Sequence, residues 1–182
     1  MDEKKSAIVA TFNTSTEAED AIKKIQKAGF NMKRLSIIGK GYHSDENVVG
    51  YYNLGDRAKS WGKRGAFWGG LWALLHGSAI FFIPGIGPIV VAGPLVAWIV
   101  GTLEGAVVVG GLSAIGAALF GIGIPKDSIF LYETSLKANK FLLIDHGSFE
   151  EVEQVRKILA SSKAETVVHN DIKVQRKFPD QN

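Results

Sequence analysis

Two ionisable side chains lie in an otherwise apolar stretch of this sequence, and they are the first candidates for chemistry. Between residues 65 and 125 the ionisable groups are the imidazole of His76 and the carboxyl of Glu104. A carboxylate beside an imidazole in apolar surroundings can bind an ion or relay a proton. The same two residues can also form a buried, hydrogen-bonded structural pair. We favour the structural pair and keep the ion or proton role as the alternative.

Histidines next to acids near the end of the chain are the candidates for metal binding. They occur as Asp145-His146 and as His169-Asn170-Asp171. We expect these groups on strands that are not neighbours, so we predict no metal site. The absence of cysteine excludes disulfides, thiol catalysis and cysteine-ligated zinc. No Ser-His-Asp pattern or pair of catalytic carboxylates is present, so we predict no catalytic residues, no cofactor and no enzymatic activity.

The glycines of "IPGIGPIVVAGPL" (83–95) raise the question of a phosphate-binding loop. The dinucleotide fingerprint G-x-G-x-x-G requires a third glycine where this sequence has Val90, and no lysine follows as in a P-loop. Prolines instead bracket the two glycines, which is typical of a turn. We predict a turn between two apolar helices, formed by Pro84, Gly85, Gly87 and Pro88.

The elements that would position these residues form two matching halves at the ends of the chain. Each half has two strand candidates around one helix. The first helix begins with a capping-box pattern at Thr14 or Thr16, and the second with one at Ser148. The strand candidates are 7–12, 34–39, 141–146 and 166–174. Two β-α-β halves of this size predict an α+β fold, a ferredoxin-like split β-α-β sandwich with four strands and helices on one face.

A long apolar segment interrupts this sandwich. We predict a glycine-rich apolar helical hairpin, with helices over roughly 57–82 and from near Pro94 to about 121. The chain then divides into the first β-α-β half, a polar and basic linker leading into a helix, the hairpin, and a helix plus the second half. These four parts are 1–40, 41–64, 65–124 and 125–182.

Small residues recur every four positions in the predicted hairpin. Such faces allow two helix backbones to approach closely, as in helix association within lipid. The predicted helix-packing residues are Gly69, Ala73, Gly77, Gly101, Gly105, Gly110, Ala114 and Ala118.

The apolar segment leaves two hypotheses for function, of which we favour the first and keep the second as the alternative. In the first, the hairpin inserts in the inner (cytoplasmic) membrane, since each helix could cross a bilayer and cationic residues flank both ends. The ferredoxin-like head is then cytoplasmic. In the second, the protein is a cytoplasmic soluble homo-oligomeric particle or sensor module, whose hairpins form a shared apolar interior that can hold lipid or a small apolar ligand. Both predict self-association, because halves of this size cannot cover two long apolar helices. The net charge of +3 is small, and we predict no nucleic-acid partner.

Several stretches together resemble a family of bacterial general-stress or heat-induced stress proteins with a glycine-rich hydrophobic segment. They are "IVATFNTSTEAEDAIKKIQKAGF", "NLGDRAKSWGKRGAFWGGLWALL", "IPGIGPIVVAGPL" and "GIPKDSIFLYETSLKANKFLL". Members are sometimes labelled predicted membrane proteins or permeases. The resemblance implies a stress-related, non-enzymatic role and supplies no catalytic residues.

Overall fold

Six strands and five α-helices make up the described part of the chain, which is residues 5–40, 78–104 and 111–169 of a computed structural model. The strands are β1 (Lys5–Phe12), β2 (Leu35–Lys40), β3 (Ser78–Ile83), β4 (Gly87–Ala92), β5 (Phe141–Ser148) and β6 (Glu165–His169). The helices are α1 (Ser15–Lys27), α2 (Leu95–Glu104), α3 (Ala114–Gly121), α4 (Lys126–Lys137) and α5 (Phe149–Leu159). A short 3₁₀ helix, Met32–Arg34, precedes β2.

The strands form one sheet in the order β3-β4-β2-β5-β1-β6, and every neighbouring pair is antiparallel. The prediction of a mixed α+β fold is confirmed. The sheet has six strands where four were predicted, because the hairpin of β3 and β4 extends it beyond β2.

Helices α1 and α5 cover one face of the sheet. Alternate residues of β1, such as Ile8 and Phe12, point into this layer, as the two-residue period of a strand requires. The apolar stripe of α1 includes Ile22 and Ile25, which are fully buried. Full burial of an isoleucine stabilises a fold by roughly 1.5–3 kcal/mol before entropy is counted. Alternation in the strands therefore fixes which residues meet these helices.

Helices α2, α3 and α4 cover the opposite face. Here the other residues of β1, such as Val9, meet Leu95 of α2, Leu119 of α3 and Tyr132 of α4. The prediction placed the helices of the two halves on one face and named no helices for the other. The structure covers this second face with α2 and α3, from the apolar segment, and with α4.

The predicted apolar helical hairpin is not present in the described residues. Residues 78–83 and 87–92, placed in helices or their connection by the prediction, are the strands β3 and β4. β-Branched and aromatic residues dominate both, as in "SAIFFI", and these types favour a strand. The turn residues Pro84 and Gly85 connect two strands instead of two helices. Gly85 and Gly87 have φ of 83° and 98°, which glycine adopts without steric cost.

The second predicted helix, from near Pro94 to about 121, is divided. Helix α2 ends at Glu104, and α3 starts again at Ala114. Gly111 has φ of 80°, a conformation that a helix cannot contain. The Ser113 hydroxyl then accepts a hydrogen bond of 3.0 Å from the Gly116 amide and begins α3 as its N-cap.

Within residues 78–104 and 111–124, much of the apolar segment is covered by its own chain, contrary to the expectation that cover must come from outside. Ile89, Leu95, Ile99 and Ile115 are fully or almost fully buried. Among residues 5–40, 78–104 and 111–169, no helix has the length and apolar composition needed to cross a membrane.

The extension of the sheet, which consists of β3, β4 and the start of α2, joins the other strands at a tight contact with β2. The Leu95 amide donates a hydrogen bond of 3.0 Å to the Ser36 hydroxyl. Gly93, with φ of 102°, lies so near β2 that a β-carbon at this position would overlap the Leu35 carbonyl oxygen. The start of α2 is therefore held against β2.

Candidate functional site

An apolar groove lies between α2 and α3. Its volume is about 490 Å³, within the size range of small-molecule sites. The lining is made of small and aromatic residues, with one hydroxyl. These residues are Ala97, Trp98, Gly101, Thr102, Ala117, Phe120 and Gly121.

Glycines set the shape of the groove. The indole of Trp98 lies across α3 at Gly121, where an added β-carbon would be 3.1 Å from the ring. A larger residue at Gly121 would push the ring away. On the opposite helix, a β-carbon at Gly101 would meet no atom within 4 Å. Gly101 thus faces open space, and it is the point at which the groove can be filled without a clash.

The walls of the groove are aromatic and partly exposed. Trp98 is 44% exposed and Phe120 is 42% exposed. The Lys126 ammonium lies 5.8 Å from the centre of the Phe120 ring and puts one positive charge at the rim. Exposed aromatic side chains around a concave apolar surface are typical of a ligand or protein contact.

The lining has no acid, base or activated nucleophile. The Thr102 hydroxyl donates a hydrogen bond of 2.8 Å to the Trp98 carbonyl within its own helix. General acid–base or nucleophilic catalysis needs a titratable group within reach of the substrate. The lining residues can therefore hold an apolar group, but they offer no chemistry to act on it.

A buried charge cluster lies on the other face of the sheet. Asp145 of β5 is 1% exposed, and its Oδ2 accepts a hydrogen bond of 3.3 Å from Arg34 Nη2. Arg34 also donates to the His146 carbonyl at 3.1 Å and forms an ion pair with Glu151 of α5. Asp145 Oδ1 has no hydrogen-bond partner.

Burial raises the pKa of Asp145 to about 6, although the nearby Arg34 charge acts in the opposite direction. The pKa of Glu151 is lowered, mainly because its carboxylate accepts a hydrogen bond from the Ser148 amide. This bond is half of the capping box that begins α5. The cluster ties the 3₁₀ helix, β5 and α5 together, so it has a structural role whatever else it does.

Of the groups considered for metal binding, Asp145, His146 and His169 are described, while Asn170 and Asp171 lie outside the described residues. Asp145 and His146 are on β5, His169 ends β6, and β1 lies between them with Ala7 paired to both histidines. Two strand spacings separate the backbones by about 10 Å. Within the described residues, no group of three or more His, Cys, Asp or Glu side chains could hold a metal ion.

The other predicted site residues have different positions. Gly101 lines the groove, Ala118 is buried in the core beneath α3, and Ala114 is the first residue of α3. His76 lies outside the described residues, and Glu104 is described only as the last residue of α2, so the predicted pair stays a prediction. Five predicted packing residues also lie outside the described residues: Gly69, Ala73, Gly77, Gly105 and Gly110.

Sequence reasoning missed Trp98 and Phe120 as groove residues. Trp98 was available as a signal, because it is a lone tryptophan between Pro94 and Glu104 with apolar neighbours on every side. The signal was ambiguous, since an indole in an apolar helix packs inward in most proteins.

Comparison with known proteins gives a family-model match over part of the chain, outside the groove. The fold alone gives the structural class of this protein: it is an α+β protein with an antiparallel sheet covered on both faces. The family model of the heat induced stress protein YflT domain then matches residues 7–80, from β1 to the middle of β3. This match supports a stress-protein family and gives no support to a membrane or permease label. Searches of curated proteins and of solved structures found no match.

Proposed function

We propose that this protein is a non-enzymatic, self-associating stress protein that holds a lipid chain or a small apolar ligand. In this proposal β1, α1, β2, β5, α5 and β6 form a ferredoxin-like head. The groove between α2 and α3 of each copy contributes to a shared apolar interior. The match to a heat induced stress protein domain supports the stress-related part.

The observation that carries the proposal is the groove itself. It is open and apolar, and its aromatic walls remain partly exposed in a single copy. Leaving large apolar side chains in water costs about 25 cal/mol per Å² relative to burying them. A ligand or a second copy that covered Trp98 and Phe120 would recover this free energy. The groove offers no group that would carry out a reaction on the occupant.

Filling the groove is the direct test. The variant Gly101→Leu adds a side chain where the structure has open space, and it replaces a helical glycine with a good helix former. We expect wild-type protein to bind diphenylhexatriene, an apolar fluorescent probe, in a saturable manner without detergent. The variant should fold normally and bind the probe about tenfold more weakly, which corresponds to 1.4 kcal/mol.

The matched control is Gln154→Leu, which adds the same side chain to the exposed side of α5. It should leave probe binding unchanged. Equal binding by wild type and Gly101→Leu would show that the groove is not the ligand site.

The oligomeric state tests the self-association part of the proposal. Sedimentation velocity without detergent should show a species larger than one chain, with a fraction that grows with concentration. Membrane insertion is the competing hypothesis. Flotation of the wild-type chain with lipid vesicles, in place of a dispersed oligomer, would contradict our proposal.

A further inference from the structure

Strand β3 forms one edge of the sheet, and its sequence "SAIFFI" carries no charge. All six residues pair with β4 in a continuous register, and within the described residues no strand lies on the other side. The outer N–H and C=O groups of an edge strand can pair with another strand. Proteins commonly block such edges with charges, prolines or bulges, and β3 has none of these.

Two large side chains of β3 face outward. Ile80 and Phe82 are each 75% exposed. Phe81 and Ile83, which alternate with these two residues along the strand, pack into the core under α2, α3 and α4. Because side chains alternate along a strand, Ile80 and Phe82 point to the opposite face, beyond the reach of α1 and α5. Among residues 5–40, 78–104 and 111–169, no strand pairs with the outer backbone groups of this edge, and its two outward apolar side chains are largely exposed.

The geometry points to β3 as a strand-pairing interface with the β3 strand of a second copy of this chain. The two strands run antiparallel about a two-fold axis, so two six-stranded sheets continue as one. This inference deepens the self-association of the proposed function and rests on it.

A second copy fits this edge because the strand is complementary to itself. In an antiparallel pair, residues directly opposite each other point to the same face. A two-fold register centred on Phe81 puts Ile80 opposite the partner's Phe82, and the symmetry repeats this contact. The uncharged strand brings no like charges together. The other edge strand, β6, begins instead with the exposed Glu165.

The size of the contact sets the expected strength. Pairing of the five residues Ala79–Ile83 gives a small interface, of the kind found in weak or transient complexes. We expect a dimer with a dissociation constant roughly in the micromolar range.

The first test places a charge on the edge. In Ile80→Lys, two ammonium groups approach each other in the dimer, and we expect the dissociation constant to rise at least tenfold in sedimentation velocity. Added salt should reverse part of the change. The matched control is Phe130→Lys, which replaces an apolar residue, 56% exposed, on α4 and away from the edge. It should leave the dimer unchanged.

Mixing two variants tests the register. A chain with Ile80→Lys and a chain with Phe82→Glu each repel themselves, yet the two introduced charges lie opposite each other in a mixed pair. We expect the mixture to form a heterodimer at concentrations where each variant alone is monomeric. Failure to do so would contradict the register centred on Phe81.

Hydrogen exchange of the wild-type chain needs no variant and therefore does not depend on variant folding. Within Ala79–Ile83, the amides that point away from β4 should gain protection as protein concentration increases, while those of α4 should not. Protection that is independent of concentration would overturn the inference.

The experiments distinguish a failure of the strand-pairing inference from a failure of the proposed self-association. An oligomer with the same affinity in Ile80→Lys overturns strand pairing and leaves self-association intact. Wild-type protein that stays monomeric at all concentrations overturns self-association as well.

Discussion

The two helical layers of this protein bury similar residues and differ on the outside. Helices α1 and α5 expose charges, including the ion pairs of Lys23 with Glu19 at 2.6 Å and of Arg156 with Glu153 at 2.8 Å. Helix α2 exposes Trp98, Val100 and Leu103. Both layers fold onto the sheet because their inward faces are apolar. Any difference in function between the layers therefore depends on their outward faces. A surface like that of α2 is typical of a contact with something other than water.

The layers also differ in what they cover. Beneath α5 lies Asp145, the buried charged residue of the described chain, with Arg34 and Glu151 around it. The core beneath α2 and α3 is made of aliphatic and aromatic side chains. Charge substitutions and pH should therefore change the stability of the layer of α1 and α5. They should not change that of the layer of α2, α3 and α4.

The largest expected effect is the loss of the Arg34 charge. Arg34→Met leaves Asp145 as a buried carboxylate without its cation, and breaking such a pair costs about 3–5 kcal/mol. We expect this loss in the free energy of unfolding measured with urea at pH 8, where Asp145 is ionised. At pH 5 the carboxyl is protonated, since its pKa is about 6, and the cost should shrink.

The matched change on the other layer is Lys126→Met, which removes the ammonium near Phe120. An exposed cation–π contact is worth at most about 1 kcal/mol, and the effect should not depend on pH. Equal losses of unfolding free energy in Arg34→Met and Lys126→Met would contradict the proposed difference between the two layers.

The second prediction concerns pH itself. Burial raises the pKa of Asp145 to about 6 from an ordinary value of 3.8, so the folded protein binds this proton more tightly than the unfolded chain. The stabilisation is complete below about pH 4 and is lost as the pH rises through 6. Its size is on the order of 3 kcal/mol.

Urea unfolding of wild type and Asp145→Asn from pH 4 to pH 8 isolates this contribution. The lowered pKa of Glu151 acts in the opposite direction in both proteins and cancels in the difference. A difference between the two proteins that stays constant with pH would contradict the prediction.

The smallest effects concern the helix caps, one in each layer. Ser148→Ala removes the side-chain half of the capping box of α5 but leaves its backbone bond to Glu151, so we expect a loss of about 1 kcal/mol. Ser113→Ala removes the cap of α3 and also the hydrogen bond that the Ser113 hydroxyl donates to Glu133. We expect roughly 2 kcal/mol for this variant in thermal unfolding. The reverse order would show that the Glu133 contact contributes nothing.

The layer with charged helices could be predicted from the sequence because its patterns are periodic. The apolar stripe of α1, the Thr14 and Ser148 caps and the strand near 141–146 all lie close to their predicted positions. Polar residues mark where each apolar face begins and ends, so the period is readable.

The uncharged segment offers no such contrast. When almost every residue is apolar, a period of two and a period of 3.6 look alike, and the long run favoured helices. The informative signals were local: β-branched and aromatic residues on both sides of Pro84–Pro88, with glycines at positions that require positive φ. The groove could not be predicted either, because it depends on how α2 and α3 pack.

The contact at Gly93 has a consequence for protein engineering. The Leu95 amide relies on the Ser36 hydroxyl, and the backbone of β2 leaves no room for any residue but glycine at position 93. The extension therefore cannot be transferred to another protein on its own. Deletion of β3, β4 and α2 from the chain would expose the edge of β2 that pairs with β4. Transfer of these elements to another protein would have to include Leu35 and Ser36.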